Sequence, residues 1–208
     1  YGNYSSLTMP PYDELWPKES APAEPLKLLD RKFAQQFRLE QARAFAWGQV
    51  PAIANFRPEH LSSRTDEMDF TIRLARLRLR ALDFLLHGTL LRAPAMQIAE
   101  VEIPVSRLSI YAGQQDALKE YIAPHPLMLI SAWRNEQGHV AIAVVNIAET
   151  PQHVAFSLSK YEWNVAGCTA IRVLEDNGTE RSLACNGDVI GIDEPINPST
   201  ARVYIFVQ

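Results

Sequence analysis

The stretch Ala44-Phe-Ala-Trp47-Gly48-Gln-Val-Pro51-Ala-Ile-Ala-Asn55-Phe56-Arg57-Pro58 sets the end of a helix directly against a short apolar run. Upstream of it the pattern is helical from about Leu26 to Trp47. Phe33, Phe37 and Phe45 fall on one stripe at spacings of four and eight, with Leu26 and Leu29 leading in. Gly48 is a natural stop, because glycine accepts the left-handed backbone that closes a helix. Pro51 to Phe56 is short, apolar and bounded by prolines, and reads as a buried strand.

Working outward, residues 4–9 read as another short strand. A loop rich in Pro10, Pro11, Pro17, Pro22 and Pro25 follows it, since proline fixes φ and removes a ladder donor. Downstream, a second helix is expected from Ser62 or Ser63, either of which can cap it, to Gly88. Asp66, Glu67 and Asp69 sit in its first turns, where the helix dipole favours negative charge. Phe70, Leu74, Leu77, Ala81 and Phe84 recur on its core face, broadened by Ile72, Leu79, Leu82 and Leu86. The order strand, helix, strand, helix is βα-repeat logic and implies parallel strands. Two such units leave two raw sheet edges, so the first 95 residues are expected to be the end of a larger α/β domain whose beginning lies elsewhere.

From about Gln97 the period changes to two. Strands are expected near 99–103, 107–111, 127–134, 139–147, 153–158, 169–175, 180–185, 189–193 and 202–207. Gln137-Gly138 lies between two of them as a hairpin turn. Asp176-Asn177-Gly178 is the strongest hairpin signal, and Asn-Gly suits a type I′ turn. Short strands at this spacing predict an antiparallel β-sandwich over 96–208. The fold class is therefore α/β plus all-β, with a boundary near residue 95. Charge divides at the same place. Residues 1–95 hold 13 Lys+Arg and 11 Asp+Glu, a net of +2, and residues 96–208 hold 7 and 13, a net of −6.

Apolar residues make up 47% of the 208 and charged residues 21%, an ordinary globular balance. The net charge of −4 argues against a nucleic-acid or anionic-membrane partner, which would need a basic footprint. The run Arg73-Leu-Ala-Arg76-Leu-Arg78-Leu-Arg80 does not change this. Its arginines alternate with the helix's apolar face, and Asp66, Glu67, Asp69 and Asp83 offset them. No apolar run reaches the roughly 18 residues of a membrane span. Cys168 and Cys185 admit one bridge between neighbouring strands, although two buried thiols are the reading they favour. There is no CxxC or HxxxH pair, so a metal is not expected. Without GxGxxG, a P-loop or GxSxG, no cofactor is expected either. His60, His87, His125, His139 and His153 are scattered and read as surface or capping residues.

Two places suit sugar chemistry. Asp13 and Glu14 lie between Tyr12 and Trp16 in the proline-rich loop, where an aromatic face can stack on a pyranose and carboxylates can accept from its hydroxyls. Each also suits a solvated loop. Asn55-Phe56-Arg57 follows the second strand, and ligands of α/β domains gather outside the carboxyl ends of strands. Arg57 could hold a carboxylate or hydroxyls there, or pair locally with Glu59.

The run 44–58 resembles the seventh helix and eighth strand of a bacterial family of uncharacterised, glycoside-hydrolase-like proteins with a TIM barrel followed by a β-sandwich. Arg73-Leu-Ala-Arg-Leu-Arg78 and Gly88-Thr-Leu-Leu-Arg92 are similar to it too. Ile130-Ser-Ala-Trp133-Arg134 with Gly138-His-Val-Ala-Ile-Ala-Val-Val-Asn146-Ile is similar to the start of that family's sandwich. The resemblance implies the last βα units of an incomplete barrel and a carbohydrate substrate. It implies catalytic carboxylates on earlier strands, so none is nominated among these residues and the chain is expected to be inactive alone. The remainder of the barrel, or a partner chain, would complete it. Asp13, Glu14, Trp16, Asn55 and Arg57 would line the substrate rim. Work on polysaccharide suits the periplasm or the exterior of a bacterium. The alternative is a non-catalytic carbohydrate-binding or interaction module, with Trp133, Tyr161 and Trp163 as candidate aromatics.

Overall fold

A computed structural model of the chain describes residues 2–6, 34–54, 56, 58, 60–108 and 118–207. Strand β1 (Gly2–Ser6) and strand β2 (Val50–Ala54) pair in parallel, Gly2 opposite Val50 and Ser6 opposite Ala54. Parallel neighbours need a crossover, and helix α1 (Ala34–Ala46) lies within it. Phe37 and Phe45 are buried, as their stripe requires. Leu26, Leu29 and Phe33 lie outside the described residues. Gly48 ends α1 with φ +70. Its N–H donates to the Phe45 carbonyl at 3.1 Å, and that of Gln49 to the Ala44 carbonyl at 2.8 Å. Both bonds occupy carbonyls that a helix end leaves without partners.

The second helix departs from its expected form at both ends. Ser62 and Ser63 do not cap it. They lie in a one-turn helix α2 (His60–Ser63), and α3 (Thr65–Arg80) starts behind Arg64, with no side-chain cap. Arg64 sits at the joint and binds the Glu67 carboxylate at 2.6 Å. Phe70, Leu74 and Leu77 are buried along one face of α3. The helix breaks at Ala81, and α4 (Leu82–Leu85) is a separate short turn. The chain must turn here, because β3 (Thr89–Leu91) follows at once and sets Leu90 opposite Trp133.

The rest of the chain is β4 (Glu100–Leu108), β5 (Leu118–Pro126), β6 (Met128–Arg134), β7 (Val140–Asn146), β8 (Gln152–Ser159), β9 (Ala170–Glu175), β10 (Glu180–Ala184), β11 (Val189–Ile196) and β12 (Thr200–Val207). Six strands form one antiparallel sheet in the order β10-β9-β12-β7-β6-β3, and β4–β5 and β8–β11 form separate antiparallel pairs. The expected strand at 107–111 is not a strand of its own. Arg107 and Leu108 end β4, and 109–111 lie outside the described residues.

The six-stranded sheet is buried on both faces. On β7, Ala141, Ala143 and Val145 point into a cluster with Phe45, Phe70, Leu74, Leu77 and Phe84 from the helices. Val140, Ile142 and Val144 point the other way, toward Val154, Phe156, Leu158, Ile190 and Ile192 of β8 and β11. The pleat alone produces this division, since successive side chains leave opposite faces. Alanines lie where the helices approach, and larger side chains face the ribbon. The βα segment and the strand-rich segment thus share one core.

Asn146, fully buried at the end of β7, pins the ribbon. Its Nδ2 donates to the carbonyls of Thr150 and Asn197 at 3.2 and 2.9 Å, and its Oδ1 accepts from the Ala148 N–H at 2.8 Å. Two corrections concern the β9–β10 hairpin. Its turn is not type I′, because Gly178 has φ +94 but Asn177 has no positive φ. The Asn177 Oδ1 accepts from the N–H and hydroxyl of Thr179, at 2.9 and 2.8 Å, which holds Asn177 in an ordinary conformation. The second correction is that Cys168 and Cys185 are not thiols; they are joined in a disulfide with their Cα atoms 6.0 Å apart. Pairing of Ala170 with Ala184 brings these flanking residues together.

Charge ties the helices to the sheet. Arg73 of α3 binds Asp69 at 2.8 Å, pairs with the buried Asp176, and donates to the Ser199 carbonyl at 2.9 Å. Burial pushes the Asp176 carboxyl up, and the Arg73 charge and the Ala201 N–H only partly offset it. Arg80 donates to the carbonyls of Glu175 and Thr179 at 3.0 and 3.2 Å. The arginine run is thus anchored partly by acids and carbonyls of the sheet, beyond the helix's own Asp69.

A second network joins β9, β10, β11 and β12. Glu175 binds Arg202 at 2.8 Å and Arg181 at 3.3 Å. Glu194 takes Arg202 at 3.1 Å, the buried Tyr204 hydroxyl at 2.7 Å, and Arg181. Burial pushes the Glu194 carboxyl up, but hydrogen bonds from Arg181 and Tyr204 outweigh it and leave it below its ordinary value. A depressed folded value gives stability that is present above the unfolded value of about 4.3 and is lost as pH falls through the folded one. Glu194→Gln therefore lowers the urea midpoint at pH 7, and the difference from the wild type shrinks by pH 3. Equal differences at both pH values would show that the carboxylate's charge contributes nothing.

Candidate functional site

The register that sets Ser6 opposite Ala54 makes the carboxyl ends of β1 and β2 level. The segments that follow both strands therefore leave from one edge of the parallel pair. Asp13, Glu14 and Trp16 follow β1 and Asn55 and Arg57 follow β2 in the sequence. All five lie outside the described residues. What is described at this edge is Phe56, 48% exposed, and His60, which is buried. Their rings meet edge to face, with centroids 5.9 Å apart and planes at 74°. This is a favourable aromatic arrangement.

His60 was not expected here. Read from sequence, it is a surface or capping residue. In the structure it opens α2 and lies beneath Phe56. The available signal was the spacing of four between an aromatic and a histidine just after the strand. A half-exposed aromatic face beside a strand's carboxyl end can stack on the apolar face of a ring.

The candidate aromatics of the strand-rich half do not form one platform. Trp133 is buried in the helix-side cluster, with its Nε1 donating to the Ser131 hydroxyl at 3.0 Å. Trp163 packs against the cluster on the opposite face of the sheet. Tyr161 is 91% exposed. Among the described residues no group of three His, Cys, Asp or Glu could hold a metal ion. Among them, too, no helix is long and apolar enough to cross a membrane.

No family model and no curated protein match the chain. Solved structures similar to it are glycoside hydrolases. One is a family 30 endoxylanase from Clostridium papyrosolvens C71, at a TM-score of 0.43 and 7% identity, matched over 84% of this chain and 38% of that one. A second is a family 27 β-L-arabinopyranosidase from Geobacillus stearothermophilus, at 0.36 and 11%, over 85% and 30%. A third is α-galactosidase I from Mortierella vinacea, at 0.40 and 7%, over 84% and 36%. The chain thus spans between 30% and 38% of the length of these three structures.

Proposed function

We propose that the chain is the carboxyl-terminal part of a carbohydrate-active glycoside hydrolase, inactive alone because the catalytic carboxylates lie on other strands. In this reading residues 1–95 are the last βα units of a (β/α)8-type barrel and residues 96–208 an antiparallel β-sandwich. Asp13, Glu14, Trp16, Asn55 and Arg57 line the substrate rim. The observation that carries the reading is the parallel β1–α1–β2 unit with level carboxyl ends, the edge at which barrels bind their ligands.

Two further features support it. Among the described residues β2 pairs only with β1, and Val50 at its start is 52% exposed. An unpaired parallel edge needs a neighbour. On α3, Ile72 and Leu79 lie seven residues apart at 42% and 66% exposure, with the exposed Arg76 between them. That stripe faces away from the shared core and suits the flank of another helix. The disulfide also suits the periplasm or the cell exterior, where such bonds persist.

The test measures hydrolysis of aryl glycosides and soluble polysaccharides by this chain and by the complete polypeptide its gene encodes. Activity is expected only in the complete polypeptide, with Trp16→Ala or Arg57→Ala raising KM about tenfold, a loss of about 1.4 kcal/mol. A gene encoding only this chain, with no second polypeptide co-purifying in denaturing mass spectrometry, would overturn the reading.

A further inference from the structure

We propose that Asn186-Gly187, in the link between β10 and β11, is a self-modifying site that deamidates in the folded protein, while the fold protects Asn177-Gly178. These are the two Asn-Gly pairs of the chain. Asparagine before glycine closes on itself in water. The glycine N–H loses its proton to hydroxide, and its nitrogen attacks the Asn Cγ. The Cγ–Nδ2 bond then breaks, and Nδ2 takes up a proton and leaves as ammonia. Water opens the resulting five-membered imide at either carbonyl. One opening leaves aspartate. The other leaves isoaspartate, in which the main chain runs through the former side chain and is one methylene longer. The attack is favoured because nucleophile and target share one tether, and glycine has no β-carbon to obstruct it.

Reaction requires a free glycine N–H and a side chain free to turn toward it. At Asn177 neither is free. The Gly178 N–H donates to the Glu175 carbonyl at 3.2 Å, and the Asn177 Oδ1 accepts from the N–H and hydroxyl of Thr179 at 2.9 and 2.8 Å. At Asn186 both conditions are met. Asn186 and Gly187 are exposed, and among the described residues neither the Gly187 N–H nor the Asn186 amide makes a hydrogen bond. A Cβ on Gly187 would meet nothing nearer than the Val189 carbonyl oxygen at 3.8 Å, so the attacking group has room.

The link is also placed where an added backbone atom has an effect. Lys160 holds both of its ends, with its ammonium donating to the Cys185 carbonyl at 3.0 Å and its N–H to the Asp188 carbonyl at 2.8 Å. Cys185 is fixed further by its disulfide to Cys168, and Val189 by its pairing with Ser159. A link lengthened between two held ends has to bow or release one of them. Isoaspartate therefore loosens the Lys160 clamp, and the turn after β8 loosens as the molecule ages. The chemistry needs only water and does not rest on the hydrolase reading.

The experiment incubates the intact, oxidised chain in mildly alkaline buffer and follows both sites by peptide mapping under mildly acid conditions. Cleavage after arginine puts Asn177 in residues 173–181 and Asn186 in residues 182–202. Each hydrogen bond that must open first slows attack about fivefold, so Asn186 should react at least about tenfold faster than Asn177. Its products should include isoaspartate as well as aspartate. In urea the two rates should come within about twofold of each other, because the protection belongs to the fold. Thr179→Val removes one donor from the Asn177 Oδ1 and should speed Asn177 about threefold to fivefold without moving Asn186. Exchange at the Lys160 N–H should quicken about threefold or more in the isoaspartate form, and stay unchanged in Asn186→Asp, which adds the charge without the methylene. Five results would overturn the proposal: Asn177 reacting as fast as Asn186, aspartate without isoaspartate, a rate ratio that persists in urea, Asn177 unmoved by Thr179→Val, or Lys160 exchange unchanged in the isoaspartate form.

Discussion

Opening the Cys168–Cys185 bridge lowers the unfolding free energy by about 3 kcal/mol, the loop-entropy value for a bridge closing a loop of this size. For a chain of this length each kcal/mol is worth about 2–4 °C, so the thermal midpoint should fall by about 6–12 °C. The clean comparison is the oxidised protein with the same protein in reductant, followed by the paired variant Cys168→Ala with Cys185→Ala. Both cysteines are nearly buried, so the variant carries a small additional packing loss that reduction does not. The effect should concentrate on the turn, because the Lys160 ammonium is held by the carbonyls of the two bridged residues. Hydrogen exchange at Lys160 to Val165 should therefore quicken more than in β7. A midpoint unmoved by reduction would mean that the hairpin register alone holds the two ends together.

The bridge itself has a signal in the sequence. Cys168 and Cys185 flank Asn177-Gly178 almost symmetrically, nine residues before Asn177 and eight after. A hairpin centred there brings them side by side, but two cysteines in isolation favour the reading of small apolar residues. The strands around them were legible because their faces alternate and their turns carry glycine. β7 was legible for another reason, being an unbroken apolar run that only a strand buried on both faces requires. β5 was not legible, since Pro124, His125 and Pro126 break any pattern, and it forms by pairing with β4. The helix pattern of α3 overran its end because Ala81 and Phe84 are buried whether or not the helix is continuous. At the candidate site only the presence of the two strands could be read, since they were expected at 4–9 and 51–56 and lie at Gly2–Ser6 and Val50–Ala54. The pairing of Phe56 with His60 depends on a one-turn helix too short to leave a periodic signal.

Gly48→Ala should be at least as damaging as loss of the bridge, for reasons that join three elements. Gly48 has φ +70, where an L side chain costs about 1–2 kcal/mol. A Cβ there would lie 2.4 Å from the Leu85 carbonyl oxygen and 2.8 Å from the Trp133 ring. The carbonyl belongs to the backbone of α4 and cannot swing away, so overpacking adds about 1–3 kcal/mol. The Gly48 carbonyl is also held by the buried Arg78 at 3.2 Å, and displacing it leaves that guanidinium without its acceptor. Strain and overpacking together come to about 2–5 kcal/mol, and the lost acceptor adds to them. Urea denaturation should show it with an unchanged slope. Trp133→Phe removes the ring atom that a Cβ would strike and should restore about 1 kcal/mol in the double variant, while costing stability alone. Additive losses would mean that the Trp133 ring contributes nothing and that backbone strain and the Leu85 carbonyl account for the effect. Because Gly48 lies two residues before β2, the distortion should also reach the parallel pair, so exchange at Val50 and Ala52 to Ala54 should quicken even where the sheet core stays protected.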